Sequence, residues 1–554
     1  MKSRWLLLLI LLALAGCTTA TPSGLTTPRI LSTTAPEEAT SSAAHTVPTA
    51  APAAADVHRN EGAGRWYPAD RGRLQAAVEA YVRQAEIGPL PGRLWAVIVP
   101  HAGYVYSGAV AGYAFRTMQE ADCEDHVIAV IGDTHTGNGS AGIAVWAEGA
   151  FETPLGSLPV DETVAQALLA AEGAAKAGIR FDREAFANEH PVENQLPFLQ
   201  VVCPGARIVP VVIRQPSLQN AQLLAEVLVA ALGDRPALIV ASTDLSHYHP
   251  YDEAREMDAI ALEAITSLDP QAVADSPRRC AELGLGGGDP VTMCSQGAVM
   301  TALIAARLMG ADRATVLQAA NSGDVPIGQR DQVVGYGSVA LWQAQEGADV
   351  PGQPLSPSNA HSVVEGNPAE SSSIFPEAQE ELLALARQTA AQFLTTETFP
   401  SFQPNDPALW QPRGAYVTYE REGELRGCVG RIEADRPAFL NVQYAAVAAA
   451  VGDSRFLPIS SAELEDLTIE ITLLDPLRQV QDPEEIQIGR EGVLMRVGED
   501  KGALYLPQVP LEQGWDLQAT LVNLCRKAGL PDDAWQRDDA RFYVFTGQWF
   551  GEGE

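Results

Sequence analysis

Residues 94–108, LWAVIVPHAGYVYSG, decide the expected fold, because they pass from a strand pattern to a helix pattern through a loop that carries His101. Residues 94–99 are a continuous apolar run of the length of a buried strand, and Ser107 begins a helical pattern. Similar apolar runs follow, with helical patterns such as 218–232 between them, at residues 127–131, 208–213 and 238–241. This alternation predicts an α/β domain whose sheet is covered by helices on both faces.

Histidines follow three of these four strands, in the loops PHAGY (100–104), GDTH (132–135) and STDLSH (242–247). Ligands of open α/β sheets bind outside the carboxyl ends of the strands. The chain has only nine histidines, so this placement favours a functional site that contains His101, His135 and His247, with Asp244 beside them. One such histidine alone would more often be a structural residue. His190, in the segment NEHPVENQ, fits an active-site role and a loop hydrogen-bonding role equally well.

Cys294 lies in the segment VTMCSQG, just before a helical pattern at residues 298–308. A thiol at a helix N-terminus is expected to have a lowered pKa, which makes it a readier thiolate ligand. The alternative is a small buried hydrophobic residue, the commoner role of a free cysteine.

The composition argues against several classes of protein. The 554 residues are 46% hydrophobic, which is enough for sizeable cores. The formal net charge of −33 would repel phosphate backbones, so no nucleic-acid partner is expected. Seven cysteines without a CxxC pair favour neither a disulfide-dense scaffold nor a zinc ribbon.

The N-terminus has the pattern of a bacterial lipoprotein. A basic start and a short apolar run lead to Leu14, Ala15, Gly16 and Cys17, which resemble a lipobox. This predicts an acylated Cys17 and an extracytoplasmic protein that is lipid-anchored to a bacterial membrane, an ordinary secretory signal being the alternative. Composition shifts then divide the chain into a signal peptide at 1–16, a disordered tether at 17–58, a domain at 59–342, a linker at 343–373 and a second domain at 374–554.

The first domain resembles the Memo-like family, through PHAGYVYSG (100–108), GDTHTGNG (132–139), NEHPVENQLPFLQ (188–200), STDLSHY (242–248) and TMCSQGA (292–298). The resemblance implies a fold related to class III extradiol dioxygenases. It implies metal ligands at His101 and His135, with Cys294 at the position of the dioxygenase carboxylate. It also matches His247 to an acid/base histidine, places Asp244 in the same pocket, and puts His190 and Glu193 in a further family motif. The sequence departs from the family at Asp133, where proline is usual.

A cysteine in place of the carboxylate changes the expected chemistry. Two histidines and a carboxylate suit Fe(II), whereas a thiolate is softer and can itself be oxidised. We therefore expect one transition-metal ion, iron or copper in preference to zinc. The similarity of fold alone does not establish dioxygenase activity.

The second domain resembles the α+β AMMECR domain, through LRGCVG (425–430), DSRF (453–456) and LPQV (506–509). Memo-like and AMMECR proteins are associated with a radical-SAM protein in the AmmeMemoRadiSam system, which implies such a protein as a partner. Arg426 and Cys428 lie two residues apart on a predicted hairpin strand and share a face. They form either a small pocket with a cation and a reactive thiol, or a packed hairpin with Arg426 in a salt bridge.

Three functions remain open from the sequence. The first is a redox or oxygenase-type metalloenzyme that acts on a small molecule, with His247, Asp244 and His190 as catalytic residues. The second is a copper- or iron-binding protein without turnover. The third is a binding module that recognises a peptide or a modified molecule.

Overall fold

The computed structural model describes residues 57–287, 290–345, 374–498 and 501–552. The predicted signal peptide, Cys17, nearly all of the tether and residues 346–373 of the linker lie outside these ranges. Two strands extend beyond the predicted bounds of the first domain. Val57–His58 forms a short strand where the tether was expected, and the last strand of the first domain continues to Ala344. None of the described helices has the length and apolarity that a membrane crossing requires.

The first domain alternates strands and helices, as predicted. Its strands are β1 (Val57–His58), β2 (Gly92–Val99), β3 (Val127–Asp133), β4 (Ile143–Val145), β5 (Ala150–Thr153), β6 (Gly156–Pro159), β7 (Ile179–Phe181), β8 (Arg207–Ile213), β9 (Ala237–Ser242), β10 (His247–His249), β11 (Arg313–Asn321) and β12 (Val333–Ala344). Its helices are α1 (Arg71–Gln84), α2 (Tyr104–Glu120), α3 (Glu162–Ala170), α4 (His190–Glu193), α5 (Leu196–Val202), α6 (Leu218–Leu232), α7 (Tyr251–Thr266), α8 (Pro270–Glu282) and α9 (Gln296–Met309).

Nine of these strands form one mixed sheet in the order β10-β12-β2-β9-β3-β8-β4-β7, with β11 paired to β12. The neighbours β2, β9, β3 and β8 are parallel, and all residues of β3 and β9 are buried. Burial on both faces explains why these strands read as unbroken apolar runs. The order places β9 between β2 and β3, so the carboxyl ends of three histidine-bearing strands lie side by side.

The helices form two packed groups against this sheet, one of α1, α2, α4 and α5 and the other of α3, α6, α7, α8 and α9. The Asp70 side chain caps α1 by accepting the Arg73 N–H. Helix α2 begins at Tyr104, three residues before the predicted start at Ser107. A disulfide that the sequence did not reveal joins Cys123, just after α2, to Cys203, at the end of α5.

The second domain is α+β. It contains two four-stranded sheets, ordered β14-β13-β15-β20 and β16-β19-β17-β18, whose strand pairs are all antiparallel. The strands are β13 (Gly414–Arg421), β14 (Glu424–Arg431), β15 (Thr468–Leu474), β16 (Arg478–Val480), β17 (Gly492–Val497), β18 (Lys501–Tyr505), β19 (Ala540–Phe545) and β20 (Gly547–Gly551). The helices are α10 (Pro376–Thr396), α11 (Ala438–Val451), α12 (Ser461–Leu464), α13 (Gln508–Glu512) and α14 (Leu517–Lys527). Strands β13 and β14 are the predicted hairpin.

Candidate metal centre

The ends of β2 and β3 bring two predicted ligands together. His101 and His135 each lie two residues beyond their strand, and their ring centroids are 5.0 Å apart. His190, the first residue of α4, completes the cluster at 5.1 Å from His101 and 4.7 Å from His135. One nitrogen of each ring lies within 4.8 Å of the others, which is the spacing of side chains that could hold a metal ion. The structure therefore gives His190, expected as a catalytic or loop residue, a position suited to a ligand.

Hydrogen bonds orient the imidazole of His101. Its Nδ1 lies 2.9 Å from the Ser242 hydroxyl, which donates its own proton to the Pro191 carbonyl at 2.6 Å. Ser242 must therefore accept a proton from Nδ1, so Nε2 keeps its lone pair. His135 behaves alike, since its Nδ1 lies 3.0 Å from the Asp133 carbonyl, an atom that can only accept. Metal-bound histidines are commonly fixed through the ring nitrogen that does not bind the metal.

Burial keeps the imidazoles in the state that binds metals. It lowers the pKa of His101 well below the ordinary value, and the neighbouring imidazoles lower it further. Burial, and then His135, lower the pKa of His190 to about 3. Both rings are thus neutral at pH 7, and a neutral imidazole is the form that ligates a metal.

Cys294 lies beside His101, with its Sγ 3.2 Å from His101 Nε2. The sulfur also accepts the Asp244 backbone N–H at 3.2 Å. The expectation of a lowered thiol pKa is wrong for the metal-free protein, because burial and then the Asp244 carboxylate raise the pKa of Cys294. The N-terminus of α9 does not compensate, since Asp133 accepts two N–H groups of its first turn, those of Gly297 and Ala298.

Asp133 links the His135 loop to the Cys294 loop. Its two carboxylate oxygens accept the Gly297 and Ala298 N–H groups of α9 at 2.8 and 2.9 Å. Its own N–H donates to the Ser295 hydroxyl at 3.2 Å. Burial raises the pKa of Asp133 to about 7, although these N–H groups lower it. The departure from the family at this position is therefore a helix cap, a role that a proline side chain could not provide.

Glu189 is a buried support of the site that the sequence reasoning missed. One of its oxygens accepts the N–H groups of His135 and Thr136 at 2.9 and 2.8 Å, and the Thr134 hydroxyl donates to it as well. It thereby fixes the loop that presents the His135 imidazole. Its place beside His190 in the NEHP segment was the available signal.

The segment before α1 forms one wall of the cluster. Trp66 stacks on His190 with ring centroids 4.3 Å apart and planes 16° apart. Glu193 holds this segment, because its carboxylate accepts the Gly62 N–H at 2.7 Å and the Tyr67 hydroxyl at 2.6 Å. Glu193 also forms a second possible metal group with His58 and Glu61. The hydrogen bonds of Glu193 to the segment before α1 already explain the position of its carboxylate.

His247 and Asp244 border the cluster without joining it. The Nδ1 of His247 bonds to the Leu245 carbonyl at 2.8 Å, and burial lowers the pKa of its ring. Asp244 Oδ1 accepts the His101 N–H at 2.7 Å, and its Oδ2 lies 4.0 Å from His101 Nε2. Burial raises the pKa of Asp244 to about 7. Asp244 thus holds the backbone of the loop that carries His101, and His247 lies close enough to lower the pKa of His101.

The structure does not support the predicted pairing of Arg426 with a reactive Cys428 thiol. Arg426 does not activate Cys428, because its guanidinium pairs with Glu463, with Nε 2.6 Å from Oε1. Burial raises the pKa of the Cys428 thiol, and the cation that acts on it is Arg455. The salt-bridge alternative describes Arg426 correctly. Cys428 is only half-buried, so it is not the core residue which that alternative assumed.

Two protein families match this chain, one for each domain. Residues 59–340 match the family described as Memo-like protein, and residues 383–550 match the family described as AMMECR1. A MEMO1 family protein of Methanopyrus kandleri is 38% identical over 295 residues, which cover 50% of this chain and 96% of that protein. A MEMO1 family protein of Thermotoga maritima is 34% identical over 50% of this chain and 98% of that protein. The solved structure of an uncharacterized protein from Pyrococcus horikoshii is 34% identical, with a TM-score of 0.31, over 32% of this chain and 94% of that chain.

Proposed function

We propose, from the premise that this chain belongs to the Memo-like protein family and also carries an AMMECR1 domain, that it is a redox or oxygenase-type metalloenzyme acting on a small molecule. His101, His135 and Cys294 would hold one iron or copper ion, and His190 is placed to share in binding it. The observation that carries the proposal is the cluster of three imidazoles whose ring nitrogens lie within 4.8 Å of one another.

The donor set fits such an ion. Imidazole and thiolate ligands suit iron and copper, and the Nδ1 bonds of His101 and His135 leave their Nε2 lone pairs available. A bound ion of this kind would supply electron transfer or activation of a bound small molecule. Asp244 would orient the His101 ring through the backbone of its loop. His247 would take a proton from the substrate, because burial lowers the pKa of its ring and keeps the imidazole in the neutral form that accepts a proton.

Metal analysis of the full chain, purified without added metal, tests this centre. His101→Ala and Cys294→Ala should each lower the metal content, whereas His247→Ala should leave it unchanged. His126→Ala is the matched control, since this histidine lies in the same domain and its ring bonds to the nearby Glu124 carbonyl at 3.3 Å, away from the cluster. Full loading of a protein that carries both His101→Ala and Cys294→Ala would reject the site.

A second candidate is a copper- or iron-binding protein without turnover. The thiol of Cys294 beside His101 favours it, because a soft sulfur ligand retains copper(I) and is itself sensitive to oxidation. Oxygen uptake by the metal-loaded protein separates the two candidates. Uptake with a trial set of small reductants supports the enzyme, and its absence with metal still bound supports the binding protein.

We also propose that the chain is lipid-anchored at Cys17 outside the cytoplasm. The disulfide between Cys123 and Cys203 supports this, since such bonds persist mainly in oxidising compartments. Cys17→Ser should release the protein from the membrane fraction or stop its maturation. Unchanged fractionation and migration would contradict the anchor.

A radical-SAM protein of the same system is the partner we propose from the family. Affinity purification of the tagged full chain from its native host, followed by mass spectrometry, tests this. Recovery of a radical-SAM protein with the tagged chain, absent from an untagged control, supports the pairing. Its absence from both samples contradicts it.

A further inference from the structure

Arg436 is a fully buried charge in the C-terminal domain that contacts the N-terminal domain. Its Nη1 donates to the Pro326 carbonyl at 3.1 Å and lies 3.5 Å from the Val325 carbonyl. The side chain is 0% exposed, and its ion-pair partner Asp435 is 36% exposed. A buried guanidinium is costly unless its donors are satisfied, so the two carbonyls are integral to its environment.

These carbonyls belong to the segment 322–332, which connects β11 to β12. The segment begins with a single helical turn, Ser322–Asp324, in which the Asn321 and Asp324 side chains each accept a backbone N–H of the turn at 2.8 Å. Val325 follows directly after this turn. Arg436 therefore contacts the segment at the two residues that directly follow the capped turn.

The same segment holds Tyr251 in two ways. The Tyr251 hydroxyl donates to Asp324 Oδ1 at 2.5 Å, and the Tyr251 N–H donates to the Arg330 carbonyl at 3.0 Å. The Arg330 guanidinium also lies 4.1 Å from the centroid of the Tyr251 ring. Tyr251 is the first residue of α7, so the segment fixes where α7 starts.

His247 lies just before this point, next to a strained residue. Tyr248 has φ +61°, which is unusual for a side chain of its size, and its side chain is 68% exposed. Such a backbone persists only when its surroundings hold it. Gly335 fixes the residues before Tyr248, through bonds of 2.8 Å to the Leu245 N–H and the Ser246 carbonyl. Tyr251, with its bonds to Arg330 and Asp324, fixes the chain just after Tyr248.

We infer that Arg436 is a positioning residue, through which the AMMECR1 domain holds segment 322–332 and, by way of Tyr251, keeps the His247 imidazole at the edge of the metal cluster. The inference rests on the proposed function only for the role given to His247. The contacts themselves require neither a metal nor a substrate. One purpose of the AMMECR1 domain in this chain is then to complete the pocket of the Memo-like domain.

Hydrogen exchange measured by mass spectrometry on the metal-free full chain tests this inference. Arg436→Met keeps the aliphatic part of the side chain and removes the guanidinium. The Pro326 carbonyl then loses this donor, whereas the Val325 carbonyl still accepts the Gly328 N–H at 2.9 Å. We expect roughly tenfold faster exchange in residues 322–332 and 244–251, with unchanged exchange in β3 and β8. Arg436→Lys keeps a cationic donor group and should restore part of the protection.

Arg73→Met is the matched control, because Arg73 also joins the two domains. Its Nη1 lies 2.8 Å from Glu397, but both side chains are exposed, so its loss should change little. Unchanged exchange at 244–251 in folded Arg436→Met would overturn the inference. An equal effect of Arg73→Met would also overturn it, because any loosening of the domains would then suffice.

Tyr251→Phe keeps the inference testable if Arg436→Met does not fold. It removes the bond to Asp324 and leaves the contact between the domains intact. Exchange should rise at residues 247–249 while residues 434–440 stay protected. No rise at 247–249 would overturn the inference. A failed metal assay leaves all of these results standing, so the two proposals fail independently.

Discussion

Metal affinity at the candidate centre should change tenfold for each pH unit between 7.5 and 8.5, and Cys294→Ala should abolish that dependence. Burial and the Asp244 carboxylate raise the pKa of Cys294, so the free protein keeps its thiol proton throughout this range. A metal binds the thiolate and must displace that proton. One proton released per ion makes binding about 1.4 kcal/mol weaker for each unit by which the pH falls.

The imidazoles of His101 and His190 add nothing to this slope. The pKa of His101 lies well below its ordinary value and that of His190 is about 3, so both rings are already neutral. Asp133 and Asp244 have pKa values of about 7, so they lose their protons mostly below the chosen range. The part of the slope between pH 7.5 and 8.5 that disappears in Cys294→Ala therefore reports the Cys294 thiol.

The assay is anaerobic titration with Co²⁺ against a chelator of known affinity at each pH. The absorbance of a cobalt–thiolate bond reports directly whether Cys294 is bound. Cys525→Ala is the control, since Cys525 is also a free cysteine but lies in the second domain. A wild-type affinity that is independent of pH, or a slope that persists in Cys294→Ala, would refute Cys294 as a ligand. A wild-type affinity independent of pH would favour His190, which needs no deprotonation, as the third ligand.

Three further predictions concern stability and reactivity. Replacing both Cys123 and Cys203 with Ala should lower the free energy of unfolding by about 4 kcal/mol, from the chain entropy of a closed loop of this length. Urea denaturation measures this loss, and an unchanged midpoint would contradict it. Asp133→Ala should cost about 1–3 kcal/mol in the same assay, because two buried N–H groups of α9 lose their acceptor. Equal stability would show that water replaces the carboxylate. Alkylation of Cys428 at pH 7.5 should be slower in the native chain than in denaturant, since burial raises the pKa of its thiol. Mass-spectrometric labelling at equal rates in both states would disprove this.

The sequence by itself was sufficient for the local elements and for two of the clustered histidines. The apolar runs became β2, β3, β8 and β9, and residues 218–232 became α6, because burial of both sheet faces and of one helix face leaves a readable period. His101 and His135 could be paired without coordinates, since parallel strands present their carboxyl ends at one edge of a sheet. The family motifs supplied the positions of Cys294, Asp244 and His247.

Only the tertiary structure decided how distant segments meet. His190 joins the cluster from α4, which does not follow a strand of the parallel sheet directly. Trp66 stacks on it from the segment before α1. The raised pKa of Cys294 depends on burial and on Asp244, and Asp133 takes the helix terminus that was expected to act on the thiol. Arg426 forms an ion pair with Glu463, and Arg436 donates a hydrogen bond to the Pro326 carbonyl of the first domain. Periodicity records whether a residue is buried, but it does not record which segment buries it. Partners and pKa values are set by packing between segments far apart in sequence.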